Sequence, residues 1–252
     1  MLQTQTFEYK SVEPLIATMP PGYKFKDVQP SFFDSLLHAN DVPIGGVIHL
    51  GANWGQEVWM YTVLGFRRAL MVEPVPEVFA RLTEASSAMS SYARAQHEMI
   101  GAGARPPIEF HCVQCAVADR SGTSPFFRTA MSMVSSLSRP VIRTEDGRYD
   151  YEEIEVQIRT LDDLMRTLPD GWSAEDFTYL RMNIQNSELL ALKGGADVLR
   201  QVRGIFLEVN VRPRYENQPE KEEFDRLLGE FGFDCTFGMA RGNVGNLFYR
   251  RR

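Results

Sequence analysis

The sequence contains little that points to a membrane, to secretion or to a nucleic acid. No apolar run approaches the roughly 18 residues that a membrane-spanning helix requires, and the first residues lack the basic and then apolar pattern of a signal peptide. The net charge over 252 residues is −6, whereas a general nucleic-acid binder is normally basic. We therefore expect a cytoplasmic protein that binds neither membranes nor nucleic acids.

Cysteine is also scarce. The three cysteines are too few and too odd in number for a disulfide framework. The pattern His111-Cys112-x-x-Cys115 has a spacing that could bind a metal, but it lies in an apolar stretch typical of a strand, where Cys112 and Cys115 would point to opposite faces. The sequence offers no matching pair of ligands elsewhere. We therefore predict structural cysteines and no metal site.

The length and composition fit one large domain with an extension. A hydrophobic content of 44% and a charged content of 24% are ordinary for a globular enzyme. Residues 1–43 are interrupted by prolines and are predicted to form an N-terminal extension, with a short amphipathic helix at Ser31–Leu37, in front of a domain over residues 44–252. The extension would either cover a ligand crevice or mediate self-association, and the sequence leaves both open.

The most informative pattern that is present is a short glycine loop followed by a carboxylate. An apolar run at 47–50 leads into the loop Gly51-Ala52-Asn53-Trp54-Gly55, a helix is predicted at Gln56–Leu64, and a second apolar run ends on Glu73. Glycine allows a ligand to approach the backbone, the helix start offers free N–H groups, and the carboxylate can accept hydrogen bonds from a ribose diol. The unit therefore predicts a nucleoside-binding crevice. The alternative is a turn that uses glycine only for its geometry.

The spacing of the two glycines distinguishes between nucleotide cofactors. The dinucleotide fingerprint G-x-G-x-x-G has a second glycine where the pyrophosphate presses on the backbone, and Asn53 stands at that position here. A ligand without a pyrophosphate fits better, which favours S-adenosylmethionine. A nicotinamide-dependent oxidoreductase stays open as a less favoured alternative.

The rest of the chain alternates between predicted strands and helices. Strands at Ile108–Val113, Phe177–Met182 and Gly204–Val209 are separated by predicted helices, one of them at Ser187–Val202. This alternation is typical of an α/β fold with a mostly parallel, twisted sheet and helices on both faces.

The last two predicted strands, Phe233–Phe237 and Asn246–Arg250, are joined by a short glycine-containing link at 238–245 and should form an antiparallel edge. In such folds ligands bind beyond the carboxyl ends of the strands. The polar residues at those ends include His49, Glu73, Asn183 and Glu208.

Seven segments in a fixed order carry a further signal. They are His49–Gly55, Val72–Pro76, Ala116–Asp119 with Gly122, Ser135–Leu137, Thr160–Leu164, Tyr179–Gly195 and Phe206–Val209. Together they resemble the FkbM family of S-adenosylmethionine-dependent methyltransferases over most of the chain. The resemblance implies a Rossmann-like class I methyltransferase fold with S-adenosylmethionine as the cofactor.

The strand ends and the resemblance together predict the site. The predicted cofactor-binding residues are Gly51, Ala52, Asn53, Gly55, Glu73, Pro74, Cys115, Ala116 and Ser136. The predicted catalytic residues are Glu188, Asn183, Glu208 and His49. Ser136 lies in a long polar segment at 128–151, called the polar excursion below. Its length by itself predicts a mobile surface loop. The resemblance to the family implies that this segment lies near the crevice.

The chain departs from the family pattern at two sites. The family usually begins its first motif with an acidic residue, where this chain has His49. Its later motif usually reads Asp-Val-Gln-Gly-x-Glu, where residues 183–188 read Asn-Ile-Gln-Asn-Ser-Glu. Asn183 donates and accepts hydrogen bonds but cannot act as a general base. A non-catalytic homologue that only binds the cofactor is therefore an alternative.

The leading prediction is methyl transfer to a hydroxyl of a small-molecule acceptor, either a sugar or a secondary metabolite. The protein must align this acceptor and exclude water. A hydroxyl needs a base at some stage, whereas an amine need only be neutral. The candidate bases are Glu188, Glu208, His49 and His111, of which His111 is expected to be a core or outward-facing strand residue. Neither the acceptor nor the oligomeric state can be read from the sequence, although a homo-oligomer is compatible with it.

Overall fold

The computed structural model describes residues 30–101, 106–142, 145, 147 and 149–252. Most of the predicted N-terminal extension, residues 1–29, lies outside the described residues. Within them the helices are α1 (Pro30–Ala39), α2 (Val58–Leu64), α3 (Pro76–Ile100), α4 (Leu161–Met165), α5 (Glu188–Lys193), α6 (Ala196–Gln201) and α7 (Lys221–Glu230). The strands are β1 (Gly46–Leu50), β2 (Arg68–Val72), β3 (Glu109–Val113), β4 (Ala116–Val117), β5 (Gly122–Thr129), β6 (Tyr151–Arg159), β7 (Phe177–Met182), β8 (Gly204–Asn210), β9 (Phe233–Arg241) and β10 (Val244–Arg251).

The main sheet has seven strands in the order β3-β2-β1-β7-β8-β10-β9. The first five are parallel to one another, and β10 pairs antiparallel with both β8 and β9. The order reverses on either side of β1, so the loops after β1 and β7 adjoin at the carboxyl ends of the strands. This topology confirms the predicted Rossmann-like fold, including its antiparallel edge.

Side chains alternate between the two faces of the sheet and so build two cores. Val47 on β1 packs with α1, α2 and α3 on one face. Ile48 and Leu50 pack with α4 to α7 on the other face. Cys112 borders the first core and Cys115 belongs to the second, as strand alternation predicts. Helices therefore cover both faces.

A second sheet, with the order β4-β6-β5, lies beside the first. Strands β5 and β6 pair antiparallel over the length of β5, with Phe126 opposite Ile154. Between β5 and β6 the chain makes one turn of 3-10 helix at Ser132–Val134. A bridge between Phe127 and Ser136 folds this segment back onto β5. The polar excursion is therefore partly built into the sheet.

Two predicted elements have different bounds for identifiable reasons. The helix predicted at 187–202 is two helices, divided at Gly194 and Gly195. A Cβ at Gly194 would lie 2.3 Å from the carbonyl oxygen of Ala118, and one at Gly195 would lie 2.7 Å from Leu161. The link predicted at 238–245 is wrong, because β9 and β10 continue to a two-residue turn in which Gly242 has a φ of 63°.

Helices α3 and α4 begin with residues typical of a helix start, and α1 was predicted in part. Pro76 occupies the first turn of α3, and the hydroxyl of Thr160 accepts a hydrogen bond from the N–H of Asp163 at the start of α4. Helix α1 extends the one predicted at Ser31–Leu37 and buries Phe33 against the sheet. No helix in the described part of the chain is long and apolar enough to cross a bilayer.

Candidate active site

A cleft opens at the carboxyl ends of the parallel strands, where the fold predicts it. It is formed by the loop after β1, the end of β2, the start of β4 with its preceding loop, the segment 126–137 and the loop after β7. The empty volume, counted to the mouth of the cleft, is about 670 Å³. The second sheet therefore contributes one wall, and the main sheet contributes the floor.

Six of the predicted cofactor-binding residues line this cleft. They are Gly51, Asn53, Glu73, Pro74, Cys115 and Ala116. The other three lie behind the lining. Ala52 is fully buried in the first core, and Gly55 packs against Leu82 and Ala85 of α3 with a φ of 82°. The Ser136 hydroxyl donates to the backbone carbonyl of Gln185. These three residues therefore support the residues of the lining and do not line the cleft themselves.

Gly51 owes its conformation to a neighbouring loop. Its φ is 74°, and a Cβ at this position would stand 2.0 Å from the carbonyl oxygen of Asn183 and 3.0 Å from Ile184. The sequence predicts glycine here because a ligand approaches the backbone. The structure shows a different reason, which is that the loops after β1 and β7 approach each other too closely for a side chain.

Glu73 ends β2 and holds the glycine loop. Its Oε2 accepts a hydrogen bond from the N–H of Asn53, and its Oε1 accepts one from the N–H of Val75, each at 3.0 Å. Burial raises the pKa of this carboxyl to about 7, even though the two N–H donors favour the charged form. Each oxygen retains a lone pair for a ligand hydroxyl.

Asn183 lines the cleft and takes part in a row of polar side chains. Its Oδ1 accepts from the Nε2 of Gln185 at 2.7 Å, and that same Nε2 lies 3.4 Å from the Oε1 of Glu208. The hydroxyl of Tyr215 lies 3.1 Å from the Oε1 of Gln185. Gln185 itself lines the cleft and was not predicted. Glu208 lies behind it, half-buried.

Glu188 does not face the cleft, contrary to the role predicted for it. Only 1% of the residue is exposed, and its Oε1 accepts a hydrogen bond from the N–H of Ile184 at 2.8 Å. Burial raises its pKa to about 7, and the negative charge of Glu208 adds to the effect. The carboxyl stabilises the turn between β7 and α5 from inside.

His49 also lies away from the cleft. It is 1% exposed, and its Nδ1 is 3.0 Å from the hydroxyl of Tyr61 on α2. Strand alternation explains this placement, because the side chain of His49 shares the face of Val47, which is covered by helices. The predicted catalytic role of His49 has no geometric basis.

Residues from distant segments complete the cleft. The Nδ2 of Asn53 donates to the hydroxyl of Ser132 at 3.1 Å, which joins the glycine loop to the segment after β5. Met133 follows, with its sulfur 3.8 Å from the Nε2 of Gln56. Glu57 lines the cleft as well. The sequence analysis predicted that the polar excursion, which contains Ser132 and Met133, lies near the crevice. It did not predict the positions of Gln56 and Glu57.

Non-glycine residues with a left-handed backbone collect around the cleft. Among the residues that the structure describes, φ is positive at Asn53 (49°), Gln185 (53°) and Asn186 (80°), and elsewhere at Asp41 and Asn217. Asparagine adopts this region more readily than most residues do. Such conformations cost on the order of 1–3 kcal/mol each and persist where the surroundings fix them.

The charged side chains of the lining suit a cationic ligand. Glu57 and Glu73 line the cleft, whereas no Lys, Arg or His from the described ranges does so. S-adenosylmethionine carries one net positive charge, so the predicted cofactor fits the donor and charge pattern of these residues. Within the same ranges, no three His, Cys, Asp or Glu side chains converge as they would around a metal ion.

The sequence profile of one protein family, described as the methyltransferase FkbM domain, matches residues 49–235. The matched range contains every segment on which the resemblance rests. It confirms the family predicted from the sequence and, with it, S-adenosylmethionine as the cofactor. The oxidoreductase alternative is left without support.

Two solved methyltransferase structures have a similar course of the chain at low sequence identity. Magnesium protoporphyrin IX methyltransferase from Synechocystis PCC 6803 is 11% identical, with a TM-score of 0.40 over 88% of this chain and 78% of that one. Ribosomal protein L11 methylase from Lactobacillus delbrueckii subsp. bulgaricus is 13% identical, with a TM-score of 0.46 over 93% and 84%. Among curated proteins, no sequence matches significantly.

Proposed function

The chain belongs to the FkbM methyltransferase family, and from this premise we propose that it methylates a hydroxyl group of a small-molecule acceptor, either a sugar or a secondary metabolite. The observation that carries the proposal is the pair of amide side chains, Asn183 and Gln185, at the inner end of the cleft. The oxygen of one amide can accept a hydrogen bond from a hydroxyl, while an N–H of the other donates to the hydroxyl oxygen. The net charge of −6 favours such an acceptor over a nucleic acid.

The cofactor end of the cleft is assigned to the loops after β1, β2 and β3. S-adenosylmethionine, when bound, supplies a methyl group activated on a sulfonium sulfur. Glu73 accepts hydrogen bonds from the ribose hydroxyls through the lone pairs that Asn53 and Val75 leave free. Cys115 and Ala116 form the apolar surface against which the adenine packs.

The acceptor end is assigned to the loop after β7. Asn183 and Gln185 orient the acceptor hydroxyl, and Tyr215 fixes the amide of Gln185. Glu208 is assigned as the base that removes the hydroxyl proton, because its Oε1 lies 3.4 Å from the Nε2 of Gln185, whereas Glu188 and His49 are turned into the protein. With S-adenosylmethionine bound, Asn183 and Gln185 would align the acceptor oxygen with the methyl group, and exclusion of water by the cleft would supply the rest of the catalysis.

The test compares two matched carboxyl variants. Transfer of labelled methyl from S-adenosylmethionine to a panel of sugars and other alcohols identifies an acceptor. Glu208→Gln should then lower the rate by about 10²–10⁴-fold, as the loss of one positioned base does. Glu188→Gln should keep most of the rate, since its amide oxygen can still accept from Ile184. Calorimetry must show unchanged cofactor binding in both. Full activity of Glu208→Gln would show that Glu208 is not the base.

A second candidate is a homologue that binds the cofactor without catalysis. It is favoured by the amide at position 183 and by the inward orientation of Glu188 and His49. Asn183→Asp restores the residue usual in the family and should keep or raise the rate of an active enzyme. Cofactor binding without transfer to any alcohol, in both the wild type and Asn183→Asp, would favour this second candidate instead.

A further inference from the structure

A groove lies beside the acceptor end of the cleft, across the loop after β7. Gln185 and Ser187 of this loop line the cleft, whereas Asn186 between them lines the groove. Leu137 lines both. The groove has an empty volume of about 930 Å³, counted to its open mouth. A molecule held at Gln185 therefore has a second space next to it, with Leu137 at the boundary.

The side chain of Asn186 joins the three segments that form this groove. Its Nδ2 donates to the hydroxyl of Ser138 in the polar excursion at 3.0 Å, and to the backbone carbonyl of Glu216, between β8 and α7, at 3.1 Å. The φ of Asn186 is 80°, which glycine, the residue usual in the family at this position, adopts without strain. The chain therefore has an amide here although the backbone favours glycine.

The other end of this amide is not paired within the protein. The Oδ1 of Asn186 is buried and has no hydrogen-bond partner among the described residues. Buried polar atoms are normally paired. The oxygen therefore marks this end of the groove as a place for a hydrogen-bond donor of a ligand.

Charged side chains of both signs stand along the groove. Arg139 and Lys193 supply hydrogen-bond donors, and Glu216 and Glu223 supply acceptors. The guanidinium carbon of Arg139 lies 5.5 Å from the centroid of the Phe127 ring. Within the described part of the chain, neither cation forms an ion pair. Both are exposed and are therefore available to a ligand.

The composition of the groove distinguishes between classes of ligand. An anion would meet two carboxylates as well as two cations. A purely apolar molecule would cover these charges without pairing them, which costs free energy. Sugar hydroxyls both donate and accept hydrogen bonds, so they can pair with groups of either sign. The C–H groups of a sugar ring can pack on the apolar part of the lining, which consists of Phe127, Leu137, Leu189, Leu190 and Pro219.

We propose that the groove binds a second sugar unit of the acceptor, so that the acceptor is a saccharide of at least two units. The inference rests on the proposed function and decides between its two acceptor classes in favour of the sugar. The unit in the groove lies away from the transferred methyl group. Its binding energy therefore serves to position the reacting hydroxyl, and it raises kcat/KM.

The test compares acceptors of one and two sugar units. Transfer of labelled methyl from S-adenosylmethionine is measured with the methyl glycosides of glucose, galactose, mannose and rhamnose, and with disaccharides of the same sugars. For an accepted sugar, kcat/KM of the wild type should be at least about tenfold higher for the disaccharide, as one hydrogen bond to a charged group implies.

Variants of the groove test whether this preference arises there. Arg139→Ala should lower kcat/KM for the disaccharide by about fivefold or more, mainly through KM, and should affect the methyl glycoside much less. Asn186→Gly should act in the same direction on the disaccharide, because it releases Ser138 and Glu216 from each other. Arg94→Ala changes an exposed arginine on α3 that does not line the groove, and should keep the wild-type preference.

The outcomes separate this inference from the proposed function. Equal kcat/KM for one and two units in the wild type, or an equal loss for both in Arg139→Ala, would overturn the inference and leave hydroxyl methylation intact. Transfer only to alcohols that are not sugars would do the same, as would a preference for a monosaccharide phosphate over every disaccharide. A wild type that transfers methyl to no alcohol would overturn both.

Discussion

A methyl group added to Gly51 would stand 2.0 Å from the carbonyl oxygen of Asn183. The glycine loop after β1 and the acceptor loop after β7 are therefore in direct backbone contact. One loop is assigned to the cofactor and the other to the acceptor. A displacement of either loop must therefore move the other, so a change at the assigned cofactor end of the cleft also changes the assigned acceptor end.

Gly51→Ala should therefore harm stability and cofactor binding together. Gly171 has a similar φ of 80° with no atom within 4 Å of an added Cβ, so Gly171→Ala measures the cost of the backbone conformation alone, about 1–2 kcal/mol. Gly51→Ala should lower the free energy of unfolding by more than this, measured by urea denaturation, and should weaken S-adenosylmethionine in calorimetry. Equal effects of the two variants would mean that the loops adjust freely.

Glu73→Gln tests the ribose contact and the support of the glycine loop. The amide keeps one acceptor oxygen but turns an NH₂ group toward the N–H of Asn53 or Val75. Affinity for S-adenosylmethionine should fall by about 1.5–3 kcal/mol, the usual worth of a hydrogen bond to a charged group.

The pH dependence of binding gives an independent measurement on Glu73. The pKa of this carboxyl is about 7, and ribose hydroxyls donate to its ionised form. Wild-type affinity should therefore rise from pH 6 to pH 8, whereas that of Glu73→Gln should not. A folded variant with wild-type affinity and pH profile would show that the ribose lies elsewhere.

Glu188→Gln should change how stability depends on pH. The folded chain holds the proton of Glu188 up to about pH 7, whereas an unperturbed glutamate releases it near 4.5. Between these values the folded state binds more protons than the unfolded state, so the free energy of unfolding falls as the pH rises. Glu188→Gln cannot lose this proton. Its free energy of unfolding should therefore rise relative to that of the wild type, by on the order of 3 kcal/mol, as the pH increases through this range.

Urea denaturation at pH 5 and pH 8 provides the measurement. Glu222→Gln changes an exposed glutamate on α7 and should leave the difference between the two pH values as in wild type. If Glu188→Gln behaves in the same way, the buried carboxyl is ionised in the folded protein and the placement of its pKa is wrong.

Ser132→Ala should loosen the wall of the cleft. It removes the acceptor for the Nδ2 of Asn53, at 3.1 Å, which joins the second sheet to the glycine loop. The dissociation rate of S-adenosylmethionine should rise several-fold, as the loss of about 1 kcal/mol implies. Ser124→Ala serves as the control, since its hydroxyl reaches only the carbonyl of the adjacent Pro125. Stopped-flow fluorescence measures these rates. Equal dissociation rates for Ser132→Ala and the wild type would show that the contact does not hold the cofactor.

The fold was predictable because its signals are local. Alternating apolar runs and turn residues identified β1, β2, β7 and β8 and their helices, and parallel order follows from the helices between them. The split at Gly194 was not predictable, since it depends on the carbonyl of Ala118, which is distant in the sequence. The second sheet was missed for the same reason, because its strands pair across the long segment between β5 and β6.

The site was predictable only where it comes from one strand–loop–helix–strand unit. Gly51, Asn53 and Glu73 lie in such a unit, and all three line the cleft. The contact between Glu57 and Arg181 joins residues 124 positions apart, and no local pattern announces it. Whether the side chains of His49 and Glu188 point into the protein or into the cleft depends on which face the helices cover. The sequence motifs that contain these residues do not determine this.

Left-handed backbone at Asn53, Gln185 and Asn186 has a consequence for engineering. A programme to raise heat resistance would normally replace such residues with glycine to relieve the local conformation. At Asn53 and Gln185 glycine would remove a side chain that lines the cleft, and at Asn186 it would remove the amide that bonds Ser138 and the carbonyl of Glu216. Asp41 and Asn217 have the same backbone outside the cleft lining, so glycine there offers the same relief without altering the cleft.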